Sequence, residues 1–96
     1  MIWKAQLTLS FSKQFVTMPK EARPLTVQLQ DNFPVIWFWV PNVDAEAFSY
    51  SVLGVMTGQS FDIPPEFWYL STTQRQNGIV HHWFVDNKPF TFRGAQ

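Results

Sequence analysis

Apolar and polar residues alternate along much of the chain with a period of two residues rather than 3.6. The first alternating segment has apolar side chains at Trp3, Ala5, Leu7 and Leu9. The second has them at Leu25, Val27 and Leu29. Because successive side chains of a β-strand point to opposite faces of a sheet, each segment predicts a strand with one buried (dry) face and one solvent-exposed (wet) face.

The segment 35–40 does not alternate. It is apolar throughout and is bounded by Pro34 and Pro41. A run of this kind predicts a central strand that is covered on both faces. The run is also far too short to span a bilayer as a helix, and no membrane partner is predicted.

Shorter apolar segments separated by turn-forming residues complete the predicted fold. Further strands are predicted over residues 15–18, 47–55, 67–73 and 79–85, with loops or turns at 19–24, 31–34, 41–46 and 58–66. Gln76-Asn77-Gly78 predicts a type I′ hairpin turn, because Asn-Gly accepts positive φ angles. Only residues 44–48 suggest a helical turn. The chain is therefore predicted to be all-β, an antiparallel sandwich or small barrel of about seven short strands with little or no helix.

The composition is that of a single globular domain. The chain has 96 residues, 46% of them hydrophobic and 18% aromatic, with 7 basic and 7 acidic side chains. This aromatic content and a net charge of zero exclude disorder. We predict one β domain over residues 1–86 and a C-terminal segment, 87–96, whose Phe90 and Phe92 either add a strand or contact another subunit. Exposed apolar area in a neutral protein favours self-association, so a homo-oligomer, most simply a dimer, is expected.

The absence of cysteine excludes disulfides and thiolate zinc sites, and the first residues lack the apolar core of a signal peptide. These features predict a soluble, intracellular protein. A net charge of zero also argues against direct binding of nucleic acid, because nothing offsets the phosphate charge.

No residue pattern predicts an enzyme. The serines lack a nucleophile-elbow motif, the aspartates stand singly in turns, and the four glycines are dispersed rather than grouped in a phosphate-binding loop. His81 and His82 are adjacent in a predicted strand and point to opposite faces, so they cannot easily chelate one ion. No catalytic residue, metal or cofactor is predicted.

Aromatic and cationic side chains are the candidates for binding a ligand. Trp37 and Trp39 share one face of a strand, which is either a contact surface within or between subunits or a platform for stacking a base. Phe61 and Trp68 flank the stiff Pro64-Pro65 segment, where a ligand docks or where Phe61 merely anchors the loop.

The candidate contacts to an anion are the cations and one imidazole: Lys20, Arg23, Arg75 and His82. Stacking groups together with Arg or Lys are the parts of a nucleotide site. The alternative for each cation is a solvated turn.

Several short motifs resemble, in their order and spacing, a family of small phage-encoded all-β domains of unknown function. The motifs are Ile2-Trp3-Lys4, Met18-Pro19-Lys20-Glu21-Ala22, Val27-Gln28-Leu29-Gln30, Trp37, Val55-Met56-Thr57-Gly58, Leu70-Ser71-Thr72 and Val80-His81-His82-Trp83-Phe84-Val85. The resemblance covers roughly residues 2–85. Val55 and Met56 replace the leading glycine of the family's Gly-Thr-Gly turn, and Ser71 replaces the glycine of its Gly-Thr strand. The resemblance implies a small viral protein in the cytoplasm of an infected bacterium, with no catalytic residues assigned.

These observations lead to a functional hypothesis with two alternatives. The hypothesis is a non-enzymatic phage counter-defence protein that binds and sequesters a small nucleotide-derived host immune signal. The first alternative is a protein–protein inhibitor of a host defence complex such as a CRISPR effector. The second is a virion accessory protein.

Overall fold

The computed structural model describes residues 1–9 and 13–86, which form seven strands and no helix. The strands are β1 (Ile2–Gln6), β2 (Gln14–Pro19), β3 (Arg23–Gln30), β4 (Phe33–Trp39), β5 (Ala47–Met56), β6 (Phe67–Gln74) and β7 (Val80–Asp86). The all-β prediction is confirmed. The prediction for residues 87–96 lies outside the described residues. Within the described part of the chain, no helix is long and apolar enough to cross a membrane.

The strands form two antiparallel sheets. One has the order β1-β4-β3 and the other the order β2-β5-β7-β6. Strand β4 lies at the centre of the three-stranded sheet, as its apolar run predicts. A single buried cluster takes residues from both sheets, including Ile36 and Phe38 from one and Tyr50, Val52 and Trp83 from the other.

Directed contacts fix the large aromatic side chains of the core. The fully buried Trp83 donates its indole N–H to the Thr73 hydroxyl at 2.9 Å. The Tyr50 hydroxyl donates to the backbone carbonyl of Ala22 at 2.7 Å, and its ring meets Phe38 edge to face at 5.3 Å. Hydrogen bonds of this kind let bulky aromatic residues with polar groups lie inside the core without an unsatisfied donor.

The two sheets are joined at one edge by a side chain. The Ser71 hydroxyl, on β6, accepts from the Val27 backbone N–H at 2.7 Å and donates to the Val27 carbonyl at 3.0 Å, on β3. A register shift between Tyr69 and Ser71 lies next to this contact. The hydroxyl thus satisfies two backbone groups that face no neighbouring strand.

Several predicted boundaries are wrong. The loop predicted at 19–24 is shorter, because β2 runs through Pro19 and β3 begins at Arg23. The turn predicted at 31–34 is limited to Asp31 and Asn32. Both have positive φ angles, 52° and 68°, which Asp and Asn tolerate, so two residues suffice to reverse the chain.

The hairpin predicted at 76–78 is confirmed, because it connects the paired strands β6 and β7, but its turn is not of type I′. Of these residues only Gly78 has a positive φ, 87°, and its N–H bonds the Arg75 carbonyl at 2.9 Å. Arg75 in turn donates its backbone N–H to Ile79 at 3.0 Å. This is a type I turn followed by a left-handed glycine, the usual three-residue hairpin loop.

The prediction that β4 is covered on both faces is wrong as well. Ile36 and Phe38 point inward and are fully buried, whereas Phe33 and Trp39 on the opposite face are 47% and 41% exposed.

Two further predictions are wrong. Leu25, predicted on the buried face of its strand, is exposed because β3 shifts register between Pro24 and Thr26. The helical turn suggested at 44–48 is absent from the described residues, and β5 begins at Ala47.

Candidate functional site

The outer face of the three-stranded sheet carries a row of aromatic rings, of which Phe33 and Trp39 are exposed and Trp37 is half-buried. Along β4, side chains alternate between the core and this face, and Phe33, Trp37 and Trp39 lie on it. We call these three residues the aromatic row. Val35 lies within the row but is buried, 5% exposed.

Each ring of the aromatic row is paired with a different cation. The Lys4 ammonium lies 5.4 Å from the centroid of Trp37, and the Arg23 guanidinium lies 5.8 Å from the ring of Trp39. The Arg75 guanidinium lies 5.9 Å from the ring of Phe33. These distances are within the range of cation–π attraction.

Strand register places two of the cations. In the antiparallel ladder Lys4 is directly opposite Trp37, and Arg23 is directly opposite Trp39. Directly opposed residues share a face of the sheet, so the sequence of β1 and β3 brings both cations onto the aromatic row.

The third cation comes from the other sheet. Arg75 lies in the hairpin between β6 and β7, and its Nε donates to the Asn32 carbonyl at 3.3 Å. The next backbone N–H, of Gln76, donates to the Asn32 side-chain oxygen at 3.0 Å. These two bonds hold the hairpin against the β3–β4 turn and place Arg75 over Phe33.

The electrostatic character of this face differs from that of the whole chain. Strands β1, β3 and β4 contain no Asp or Glu, whereas the net charge of the chain is zero. The nearest carboxylates in sequence are Glu21 and Asp31, in the turns at either end of β3. The polar residues between the cations are neutral, and one of them, Gln30, accepts a 2.9 Å bond from Lys4. The face is therefore aromatic and cationic.

The structure brings together four of the eight residues that the sequence predicts to bind a ligand. Trp37, Trp39, Arg23 and Arg75 all lie on or at the end of this face. Lys4 and Phe33 were missed. Lys4 occupies a wet position of an alternating segment, but only the pairing of β1 with β4 reveals its contact. Phe33 was assigned to a turn, although it begins β4.

The other four nominated residues lie elsewhere. Lys20 bonds Glu46 at 3.4 Å in an exposed ion pair. Trp68 lies on β6 of the four-stranded sheet, and Phe61 lies in the loop that connects β5 to β6 of that sheet. His82 lies on β7, in that same sheet.

His82 takes part in a network of hydroxyl groups. Its Nε2 lies 2.7 Å from the Thr57 hydroxyl, and its Nδ1 lies 3.0 Å from the Thr72 hydroxyl. Thr72 also bonds the Tyr69 hydroxyl at 2.7 Å. Both ring nitrogens are thus bonded within the protein, and the anion contact predicted for His82 stays a prediction.

His81 lies on the opposite side of β7 and is 3% exposed. Its ring stacks on Trp83 at 5.5 Å, with 21° between the planes. Burial, with smaller contributions from Arg75 and His82, lowers the pKa of His81 below its ordinary value. Over residues 1–9 and 13–86, no group of three or more His, Asp and Glu side chains is placed to hold a metal ion.

A shallow depression of about 230 Å³ lies on the β1–β2 side of the molecule. Its lining includes Trp3, Met18 and Val43, and none of its lining residues is charged. The depression therefore offers no partner for a charged ligand, and the aromatic row with its cations remains the candidate site.

The model of a family described as "Domain of unknown function (DUF7352)" matches residues 1–91. No curated protein matches the chain. No solved structure matches it either.

Proposed function

The chain belongs to this family of domains of unknown function, and we propose its function from its own surface. The protein binds and sequesters a small nucleotide-derived ligand on the outer face of the three-stranded sheet, without chemical conversion. The observation that carries this proposal is the pairing of every ring of the aromatic row with a cation, on a face whose strands contain no carboxylate.

A nucleotide combines the two features that this face complements. Its base is a flat ring that stacks on an indole, and its phosphate accepts charge-assisted hydrogen bonds from Arg or Lys. Trp39 with Arg23 offers both groups within 5.8 Å of each other, and Trp37 with Lys4 offers them within 5.4 Å. Each pair thus places a ring that can stack next to a group that can bind phosphate.

Binding of this kind requires no catalytic group. His81 is buried against Trp83, and both nitrogens of His82 bond threonine hydroxyls. These positions favour structural roles for the two imidazoles over general acid–base catalysis.

The biological role we propose is phage counter-defence. In this role the protein removes a nucleotide-derived immune signal from the cytoplasm of an infected bacterium. Support for the phage setting comes from the sequence resemblance alone, and support for the ligand class comes from the aromatic row and its cations.

A nucleotide panel screened by thermal unfolding tests the proposal. A ligand present at 100 times its Kd adds about 2.7 kcal/mol to the free energy of unfolding. We expect at least one nucleotide-derived ligand to raise the Tm of the wild type and to be recovered unchanged after heat release. The W39A and R23Q variants should lose this shift.

The F15A variant is the matched control. Phe15 is 66% exposed and lies on β2 in the other sheet. The F15A protein should therefore keep the ligand-induced shift in Tm. An absence of stabilisation by every nucleotide, or an equal loss of the shift in F15A, contradicts the proposal. Recovery of a converted ligand would instead identify an enzyme.

One observation favours a second candidate function, inhibition of a host protein complex. Exposed apolar residues lie near one end of the aromatic row: Ile2 is 54% exposed and is opposite Trp39, and Leu25 is 48% exposed. Protein interfaces are enriched in aromatic residues and arginine. Capture of a defined host protein that W39A abolishes, and that nucleotides do not compete with, would favour this candidate.

A further inference from the structure

We infer that the ligand of this face is a single-stranded oligonucleotide, bound along β4 with its bases on the aromatic row. This inference rests on the proposed nucleotide binding and specifies the class of ligand. It departs from the expectation, drawn from net charge, that the protein does not bind nucleic acid directly.

The length of the aromatic row favours a ligand with several bases. A strand rises about 3.3 Å per residue, so Trp37 and Trp39 lie roughly 7 Å apart and Phe33 lies roughly 13 Å from Trp37. A mononucleotide has one base and reaches only one part of this row. An oligonucleotide whose bases are spread beyond their stacked spacing of about 3.4 Å reaches all three rings.

The cations are distributed along the whole row rather than gathered at one point. Arg23 lies at the Trp39 end, Lys4 lies beside Trp37, and Arg75 lies at the Phe33 end. One phosphate needs one or two such groups, whereas a backbone with a phosphate at every nucleotide matches cations placed at intervals. The positions of the cations therefore complement an oligonucleotide that lies along β4.

Three further side chains on this face suit the edges of bases. Gln6, Gln28 and Gln30 are exposed on the strands that flank β4, and their amides both donate and accept hydrogen bonds. Such groups contact base edges without adding a negative charge. The face thus combines stacking, phosphate pairing and neutral polar contacts, which is the combination found in surfaces that bind single strands.

The zero net charge does not oppose this inference. Affinity for a phosphate backbone depends on the charges near it, since charges farther than a Debye length of about 8 Å are largely screened at physiological salt. All seven acidic side chains lie outside β1, β3 and β4. The strands of this face therefore contribute only positive charge, and the nearest carboxylates in sequence, Glu21 and Asp31, lie in the turns at the two ends of β3.

Fluorescence anisotropy with labelled thymidylates of increasing length tests the inference. The probes are thymidine monophosphate, a dinucleotide, a tetranucleotide and an octanucleotide. Each further ring that takes a base should raise affinity about tenfold, equivalent to ~1.4 kcal/mol, until the row is filled. We expect a rise of about a hundredfold from the mononucleotide to the tetranucleotide and little gain beyond it.

Salt dependence measures the phosphate contacts separately. With three cations paired to phosphates, the logarithm of the association constant should fall with the logarithm of salt concentration with a slope of about −2. The R23Q variant should lower the magnitude of this slope by about 0.7, whereas W39A should weaken binding with the slope unchanged. The F15A variant should match the wild type both in affinity and in the slope of the salt dependence.

The outcomes separate this inference from the proposed function. If mononucleotides bind as tightly as the tetranucleotide, or if a cyclic oligonucleotide binds much more tightly than a linear one of the same length, this inference is overturned and nucleotide binding stands. Duplex DNA that binds as well as a single strand also overturns it, because paired bases cannot stack on the rings. If no nucleotide of any length binds, both proposals fail.

Discussion

The imidazole of His81 is buried among apolar residues and stacks on Trp83. Since burial lowers its pKa in the folded protein, the unfolded chain binds a proton more readily than the folded one. The contribution of this neutral side chain to stability is complete above the ordinary pKa of 6.5. It is lost progressively as the pH falls below that value toward the lower folded pKa.

We therefore predict that the free energy of unfolding decreases as the pH is lowered from 7 to 5. Urea unfolding at several pH values measures this decrease in the free energy of unfolding. The H81F variant keeps an aromatic ring in place and should lose much of this pH dependence, while H82N, which removes only a small contribution to the shift, should keep most of it. An identical pH dependence in the wild type and H81F would show that His81 does not titrate as its burial requires.

Gly54 is required by the close approach of Trp83. A Cβ atom at this position would lie 2.5 Å from Cζ3 of the indole. We predict that G54A lowers the free energy of unfolding by about 1–3 kcal/mol, the usual effect of overpacking a core. Chemical denaturation measures the loss, and near-UV circular dichroism should show a disturbed indole.

The G58A variant separates this contact from backbone strain. Gly58 has a φ of 87°, and a Cβ there meets no atom within 4 Å. G58A should lower stability through strain alone and leave the near-UV spectrum unchanged. An unchanged spectrum and stability in G54A would contradict the packing of Trp83 described above.

At the scale of elements, Ser71 closes the edge between the two sheets by bonding both backbone groups of Val27. Removing the hydroxyl leaves a donor and an acceptor without a partner. We predict that S71A lowers the free energy of unfolding by about 1–3 kcal/mol, whereas S71T, which keeps the hydroxyl, loses less.

Hydrogen exchange of the Val27 amide locates the effect. Its protection should fall in S71A more than that of amides in the centre of β7. Equal losses at both places would mean that Ser71 contributes to global stability but does not hold this edge.

The elements also show what the sequence predicts and what it does not. Alternation and turn residues sufficed to predict the seven strands and the central position of β4, because these features depend on local pattern. The pairing of Lys4 with Trp37 depends on strand register, and the exposure of Leu25 depends on a register shift in β3. Neither has a local signal in the sequence.

The candidate site was predicted in part for the same reason. Trp37 and Trp39 share a face in any strand, so their grouping followed from a period of two. Lys20 and Arg23 are near in sequence, yet Lys20 bonds Glu46 while Arg23 lies on Trp39. Arg75 reaches the aromatic row only because its hairpin is bonded to Asn32.

At the scale of the whole molecule, charge is neutral in total but unevenly placed. This unevenness predicts that the position of an added carboxylate matters more than the change in net charge. Q28E puts a carboxylate on the outer face of the three-stranded sheet, and S49E puts one at an exposed position of β5 in the other sheet. We predict that Q28E weakens oligonucleotide binding about tenfold or more and that S49E has little effect.

Anisotropy titrations of both variants at the same salt concentration provide the measurement. Their melting temperatures serve as the control for folding. Equal weakening by the two substitutions would indicate that net charge, rather than this face, governs association.

The indole N–H resonances of the five tryptophans report most directly on whether the aromatic row is the binding surface. We predict that adding a tetrathymidylate shifts the indole signals of Trp37 and Trp39 in a saturable way, because bases stack on these rings. The signals of Trp68, in the other sheet, and of the buried Trp83 should stay in place. Shifts confined to Trp68, shifts of all five signals alike, or no shift at any concentration would contradict the assignment of this face as the binding site.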